Sequence, residues 1–135
     1  MGSKALSIAT GPQIRADGPC ALGVDVGSAY VSLAVVDCEG NLIHHDYRRH
    51  HGHVAETVAE AVAATNGHGF GRIAKTGDGA QQIENAGPML DPTVAILYGT
   101  RNLCPDVQNI IYIGAGSFYL VVLNEDGEYL RHTAN

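Results

Sequence analysis

Three short runs of small and acidic residues are the places where this chain has the means to do chemistry. The first is Leu22-Gly23-Val24-Asp25-Val26-Gly27-Ser28-Ala29-Tyr30, a single carboxylate inside an apolar run that ends in a small-residue turn. Gly27-Ser28-Ala29 lets the backbone come close to a bound group, so a phosphate loop is the first reading. The second run is Thr76-Gly77-Asp78-Gly79, which follows Phe70 to Lys75 at what reads as a strand's C-terminal end, where open α/β sheets usually take ligands. Asp78 there reads either as a contact to a metal-bound nucleotide or as part of an ordinary Asp-Gly turn. The third is Gly114-Ala115-Gly116-Ser117, between the apolar runs Ile110 to Ile113 and Phe118 to Leu123.

The first and third runs resemble each other. Gly116, Ser117 and Tyr119 lie 116 − 27 = 89 residues after Gly27, Ser28 and Tyr30. With a two-residue shortening, Asp37-Cys38-Glu39-Gly40 falls on Asn124-Glu125-Asp126-Gly127, so both copies end in an acidic glycine turn. Two hairpins facing a common ligand account for the echo. The alternative is a generic likeness between β-hairpins, in which glycine turns and Val/Ile strands recur.

Histidines crowd the stretch HHDYRRHHGH, at His44, His45, His50, His51 and His53. Imidazole is the commonest transition-metal ligand, so a metal site has to be weighed. Adjacent histidines on a strand point to opposite faces, which sets His44 against His45. A His51-x-His53 pair is able to share a metal; a solvated strand end and polar loop is the competing reading.

Composition narrows the partners. At 135 residues, with 45% apolar and 16% charged content, the chain is globular and long enough for a sizeable core. A formal charge of −6 with scattered Lys and Arg argues against a nucleic-acid surface. Any anionic ligand must then be held by backbone N–H groups, a helix N-terminus or a metal. Cys20, Cys38 and Cys104 are odd in number and have no paired spacing, which fits reduced thiols in a cytoplasmic protein. No run of eighteen apolar residues and no signal-peptide core are present, so a soluble, cytosolic product with no membrane partner is expected.

The elements that must position these runs follow in order. Residues 1–20, rich in Gly, Ser and Pro, read as a flexible lead. Residues 21–27 and 30–37 read as strands apolar on both faces, and Leu42 to Arg49 as a third strand completing an antiparallel meander. Val54 to Thr65 has helical spacing and is stopped by Asn66-Gly67. Phe70 to Lys75 is a strand, Ala80 to Ala86 a brief helix, and Thr93 to Leu103 a longer helix turning Val94, Leu97 and Tyr98 inward. Strands at Asn109 to Gly114, Phe118 to Leu123 and Tyr129 to His132 complete the order βββ-α-β-α-β-β, with a last strand cut short.

Three leading strands, then alternating helix and strand, with a glycine hairpin at each end, resemble the ribonuclease-H-like α/β pattern of actin, the heat-shock chaperones and the sugar kinases. Gly23-Val24-Asp25-Val26-Gly27-Ser28, Thr76-Gly77-Asp78-Gly79, Ile113-Gly114-Ala115-Gly116, Asn124-Glu125-Asp126-Gly127 and Asn135 look most like the activators of 2-hydroxyacyl-CoA dehydratases and benzoyl-CoA reductases. The resemblance runs from Leu22 to the C-terminus and makes residues 21–135 a first ribonuclease-H-like subdomain of an actin-like ATPase, a mixed sheet with flanking helices, truncated at its end.

The resemblance implies an ATPase whose hydrolysis drives an electron from a four-iron four-sulfur cluster at a homodimer interface into a CoA-ester dehydratase or reductase. It implies ATP or ADP on Gly27, Ser28, Ala29 and Tyr30, on Thr76, Gly77 and Asp78, and on Gly114, Ala115, Gly116 and Ser117, with Asp25 catalytic and holding Mg²⁺ through water. Glycines that expose N–H donors, beside a carboxylate that orients hydrated Mg²⁺, suit phosphoryl chemistry. Gly116 and Ser117 stand where typical activators carry Gln-Asp, and none of the three cysteines matches the family's cluster motif, which assigns the cluster to other parts of a full-length parent. This piece alone is expected to be inactive and to form a homo-oligomer. A small-molecule kinase of the same superfamily, or a degenerate ATPase-like assembly or regulatory module, are the alternatives.

Overall fold

The computed structural model describes residues 18–65 and 69–134. The chain divides into two compact units, one ending at Met89 and the other beginning at Leu90.

In the first unit β1 (Cys20–Val26), β2 (Tyr30–Val36) and β3 (Leu42–Arg49) form the expected antiparallel meander. After α1 (Val54–Ala63) the chain returns as β4 (Phe70–Thr76), parallel to β1, giving the sheet order β3-β2-β1-β4. A parallel return needs a crossover, and α1 supplies it. The apolar stripe of α1, Val54, Val58, Ala61 and Val62, packs on Leu22, Val24 and Val26 of β1 and Val31, Leu33 and Val35 of β2, with Phe70 and Ile83 closing the core. Burial of this kind contributes roughly 1.5–3 kcal/mol for each large side chain.

Residues 21–27 and 30–37 do not bury both faces. Burial alternates along β1 and β2, because α1 covers one side only, and Gly23 on the other side is exposed. The helix stop expected at Asn66-Gly67 lies outside the described residues. The helix expected over Ala80 to Ala86 is a single 3-10 turn, Ala80–Gln82. It stops there because Ile83 takes an extended backbone and is 1% exposed within the core, while Asn85 turns the chain with φ 56°.

The second unit opens with α2 (Pro92–Leu103). Asp91 caps it by accepting the Thr93 N–H at 2.8 Å and the Val94 N–H at 3.3 Å, and Pro92 occupies the first turn, where its missing donor is harmless. Strands β5 (Asn109–Ile113), β6 (Phe118–Leu123) and β7 (Tyr129–Ala134) form a second antiparallel meander. Its core is Ile110, Val121 and Leu123 with Ile96, Leu97 and Val107. Leu97 faces inward as expected; Val94 and Tyr98 are exposed, since the stripe that meets the sheet runs through Ile96 and Leu97.

The second meander repeats the first with one constant offset. Gly27 N–H donates to Tyr30 O at 2.9 Å, and Gly114 N–H to Ser117 O at 2.8 Å, so 114 − 27 = 87. The later turn agrees: Asp37 N–H donates to Asn41 O and Gly40 N–H to Asp37 O, while Asn124 N–H donates to Glu128 O and Gly127 N–H to Asn124 O. The strand irregularity between Val35 and Val36 recurs between Val122 and Leu123. No two-residue shortening is needed. The match at 89 residues followed residue type, and a slip of two keeps every side chain on its face, so only the hydrogen-bonded turns fix the register.

Matching positions are not equally covered. Val24 and Val26 are 2% and 0% exposed beneath α1, whereas Ile111 and Ile113, 87 residues later, are 63% and 78% exposed.

Candidate nucleotide-phosphate site

Asp25 is the penultimate residue of β1 and lies across from Ser32 on β2 and from Thr76 on β4. The chain then makes a tight turn, with Gly27 and Tyr30 closing it and Ser28 and Ala29 at its tip. Past β4 the loop from Thr76 to Gly79 passes against the end of β1. Gly79 N–H donates to Val26 O at 2.9 Å, and a Cβ at position 79 would stand 2.5 Å from Val26 Cγ1. Gly77 holds φ at 92°, and a Cβ there would collide with Asp25 Oδ1 and with Val26 O. Both glycines are needed for this approach of loop to strand. The fold thus gathers Asp25, Gly27, Ser28, Ala29, Tyr30, Thr76, Gly77 and Asp78 at the C-terminal ends of β1 and β4.

Burial, and then the nearby Asp78 carboxylate, hold the Asp25 carboxyl above its ordinary value. A cation between the two acids would relieve both effects. Among the described residues no three His, Cys, Asp or Glu side chains come together as a metal cage. That donor set fits Mg²⁺, which keeps several waters and takes one or two carboxylates together with phosphate oxygens. It does not fit an iron–sulfur cluster: Cys20 is buried in β1, while Cys38 and Cys104 are exposed, and among the described residues no cluster ligand set forms.

In the second unit Gly114, Ala115, Gly116 and Ser117 form the β5–β6 turn, with Ala115 and Gly116 exposed at its tip. At the offset of 87, Asp25 corresponds to Tyr112. The Tyr112 ring lies over Gly114, where a Cβ would meet its Cε1 at 3.0 Å, and tilts against Tyr119 with ring centroids 5.6 Å apart. The second turn has the backbone of the first without its carboxylate.

His50 is the residue that sequence reasoning missed. It is buried, its N–H donates to Ala29 O at 3.1 Å, and its Nε2 lies 3.3 Å from Gly27 O. The available signal was its place at the end of β3, just before a glycine turn. His51 and His53, weighed as a metal pair, are exposed, and His53 Nδ1 lies 3.0 Å from Glu56 Oε2. Beside the turn, the Tyr30 and Tyr47 rings stack 4.6 Å apart and 6° from parallel.

No protein-family model and no curated protein matches the sequence. Solved structures do match in shape. The activator of the 2-hydroxyisocaproyl-CoA dehydratase from Clostridium difficile, with bound ADPNP, superposes with TM-score 0.71 at 15% identity, over 86% of this chain and 45% of that one. Component A of the (R)-2-hydroxyglutaryl-CoA dehydratase of Acidaminococcus fermentans gives 0.72 at 17% identity, over 86% and 47%. The ethanolamine utilization protein EutJ from Carboxydothermus hydrogenoformans gives 0.60 at 19%, over 87% and 51%. The chain has the actin-like ATPase fold. As a mixed α/β sheet whose strand ends carry glycine turns, this actin-like ATPase fold is the one expected from the motifs. The chain spans about half the length of these structures. Among the described residues no helix is long and apolar enough to cross a membrane.

Proposed function

We propose that this chain is a nucleotide-phosphate-binding part of an ATP-dependent activator, one that drives electron transfer into a CoA-ester dehydratase or reductase. The observation that carries the reading is Asp25, a half-buried carboxylate with a raised pKa, set between the Gly27–Tyr30 turn and the Gly77–Gly79 loop. The fold likeness to an activator with bound ADPNP supports the ligand. ATP or ADP is held at the first unit by backbone N–H groups of the Ser28–Ala29 tip and of the Thr76–Asp78 loop, and Mg²⁺ is oriented through water by Asp25, with Asp78 as the second acid; Gly114, Ala115, Gly116 and Ser117 form a like turn in the second unit. Bound Mg²⁺ neutralises phosphate charge; the chain's own residues place it and offer N–H donors to the growing negative charge. The second meander repeats the turns of the first at an offset of 87 residues. Iron–sulfur chemistry and the dehydratase partner belong to a full-length parent, and the exposed Ile111 and Ile113 face supports self-association of this chain.

Titration calorimetry with Mg-ADPNP tests the reading. Binding by the wild type, with affinity lowered at least about tenfold in Asp25→Ala, is expected; equal affinity in the two proteins overturns it. A second reading, an ATPase-like module that binds nucleotide without turnover, is favoured by Tyr112 and Gly116-Ser117, which leave the second turn without a carboxylate or Gln-Asp pair. Absence of ATP hydrolysis by a full-length parent that binds Mg-ADPNP would select it.

A further inference from the structure

A turn that receives a polyanion must offer its N–H groups and keep its carbonyl oxygens away. In the turn Gly27-Ser28-Ala29-Tyr30 three of the four carbonyls are engaged. Tyr30 O accepts the Gly27 N–H at 2.9 Å, Ala29 O accepts the His50 N–H at 3.1 Å, and Gly27 O faces His50 Nε2 at 3.3 Å. One residue, His50, therefore holds two of them.

The ring is oriented for this by the chain that follows. Gly52 N–H donates to His50 Nδ1 at 3.1 Å, which makes Nδ1 an acceptor and leaves the proton of the neutral ring on Nε2, aimed at Gly27 O. Gly52 reaches that position because His51 and Gly52 both take positive φ, 47° and 87°, in a tight turn closed by His53 N–H to His50 O at 2.7 Å. His50 is 8% exposed, while its neighbours His51 and His53 are open to solvent.

We propose that His50 is a positioning residue for the phosphate turn. As the Nε2–H tautomer its ring holds the Gly27 carbonyl away from the anion, beside the Ala29 carbonyl that its backbone N–H already engages, so that the turn presents N–H groups to the anion. This rests on the nucleotide reading given above.

The test uses the whole chain and Mg-ADPNP. His50→Gln keeps an N–H donor near the place of Nε2 and is expected to bind within about threefold of the wild type; His50→Ala and His50→Asn are expected to lose at least about tenfold. Equal affinity in wild type and a folded His50→Ala overturns the role of His50 and leaves the nucleotide reading intact. No binding by the wild type overturns both. Should His50→Ala fail to fold, nitrogen-15 spectra of the wild-type imidazole decide: an Nε2–H tautomer whose signals move on adding Mg-ADPNP is expected. An Nδ1–H tautomer, or signals that stay put while ADPNP binds, overturns the proposal.

Discussion

Oδ1 of Asp25 fills the space into which a side chain at position 77 would project, and Gly77 keeps φ at 92° beside it. An L-residue at that φ is strained by roughly 1–2 kcal/mol before any collision. Gly77→Ala is therefore expected to destabilise the first unit by about 2–4 kcal/mol, the range of a backbone change at a special φ combined with overpacking. Urea unfolding followed by circular dichroism checks this, and a loss under about 0.5 kcal/mol, typical of a neutral surface site, contradicts it.

The same carboxylate gives a pH dependence whose sign is fixed. The folded pKa of Asp25 lies above the unfolded value of 3.8, so between the two the folded state binds more protons. Stability then falls as pH rises through that window, and the whole penalty is present above the folded pKa. Asp25→Asn should be more stable than the wild type at pH 7 and should lose this slope, yet bind Mg-ADPNP at least about tenfold more weakly. A urea midpoint at pH 7 below that of the wild type would count against the burial argument.

Asp91 caps α2 through its side chain, and Asp91→Ala should lower the stability of the second unit by about 1 kcal/mol. Asp91→Ser should restore most of that, since serine accepts the same N–H groups. Thermal melts of both variants distinguish a cap from a merely exposed acid.

Ile111 and Ile113 present apolar side chains to solvent on one sheet face. Ile113→Ser is expected to shift light-scattering mass toward the monomer at high protein concentration with little change in stability, within about 0.5 kcal/mol. A wild type that is monomeric at every concentration removes the homo-oligomer from the proposal.

Much of this architecture was legible because strands and helices announce themselves by period. The meander from Cys20 to Arg49, the helix at Val54, the strand at Phe70 and the second meander all stand where apolar runs bounded by glycine turns, or helical spacing, set them. Asp25 and Gly77 were legible as candidate site residues because a lone carboxylate and small-residue turns stand at the ends of apolar runs, and the fold brings the two together. What periodicity cannot carry is which face receives a cover: Val94 and Tyr98 have helical spacing, but the sheet meets Ile96 and Leu97. Nor does residue type fix an offset, since Gly-Ser-x-Tyr matched at 89 while the turn hydrogen bonds repeat at 87. His50 stayed hidden among five histidines because its contact with Gly27 O spans 23 residues of chain, which spacing within the histidine stretch does not show.

The uneven cover of the two repeated meanders has a calorimetric consequence. Heat capacity on melting grows with the nonpolar area newly wetted, and the β5–β7 sheet already wets at Ile111 and Ile113 what the β1–β3 sheet hides at Val24 and Val26. The later segment should unfold with a smaller heat-capacity step per residue and a flatter free-energy curve against temperature. Two halves of one backbone pattern would then respond differently to cold as well as to heat.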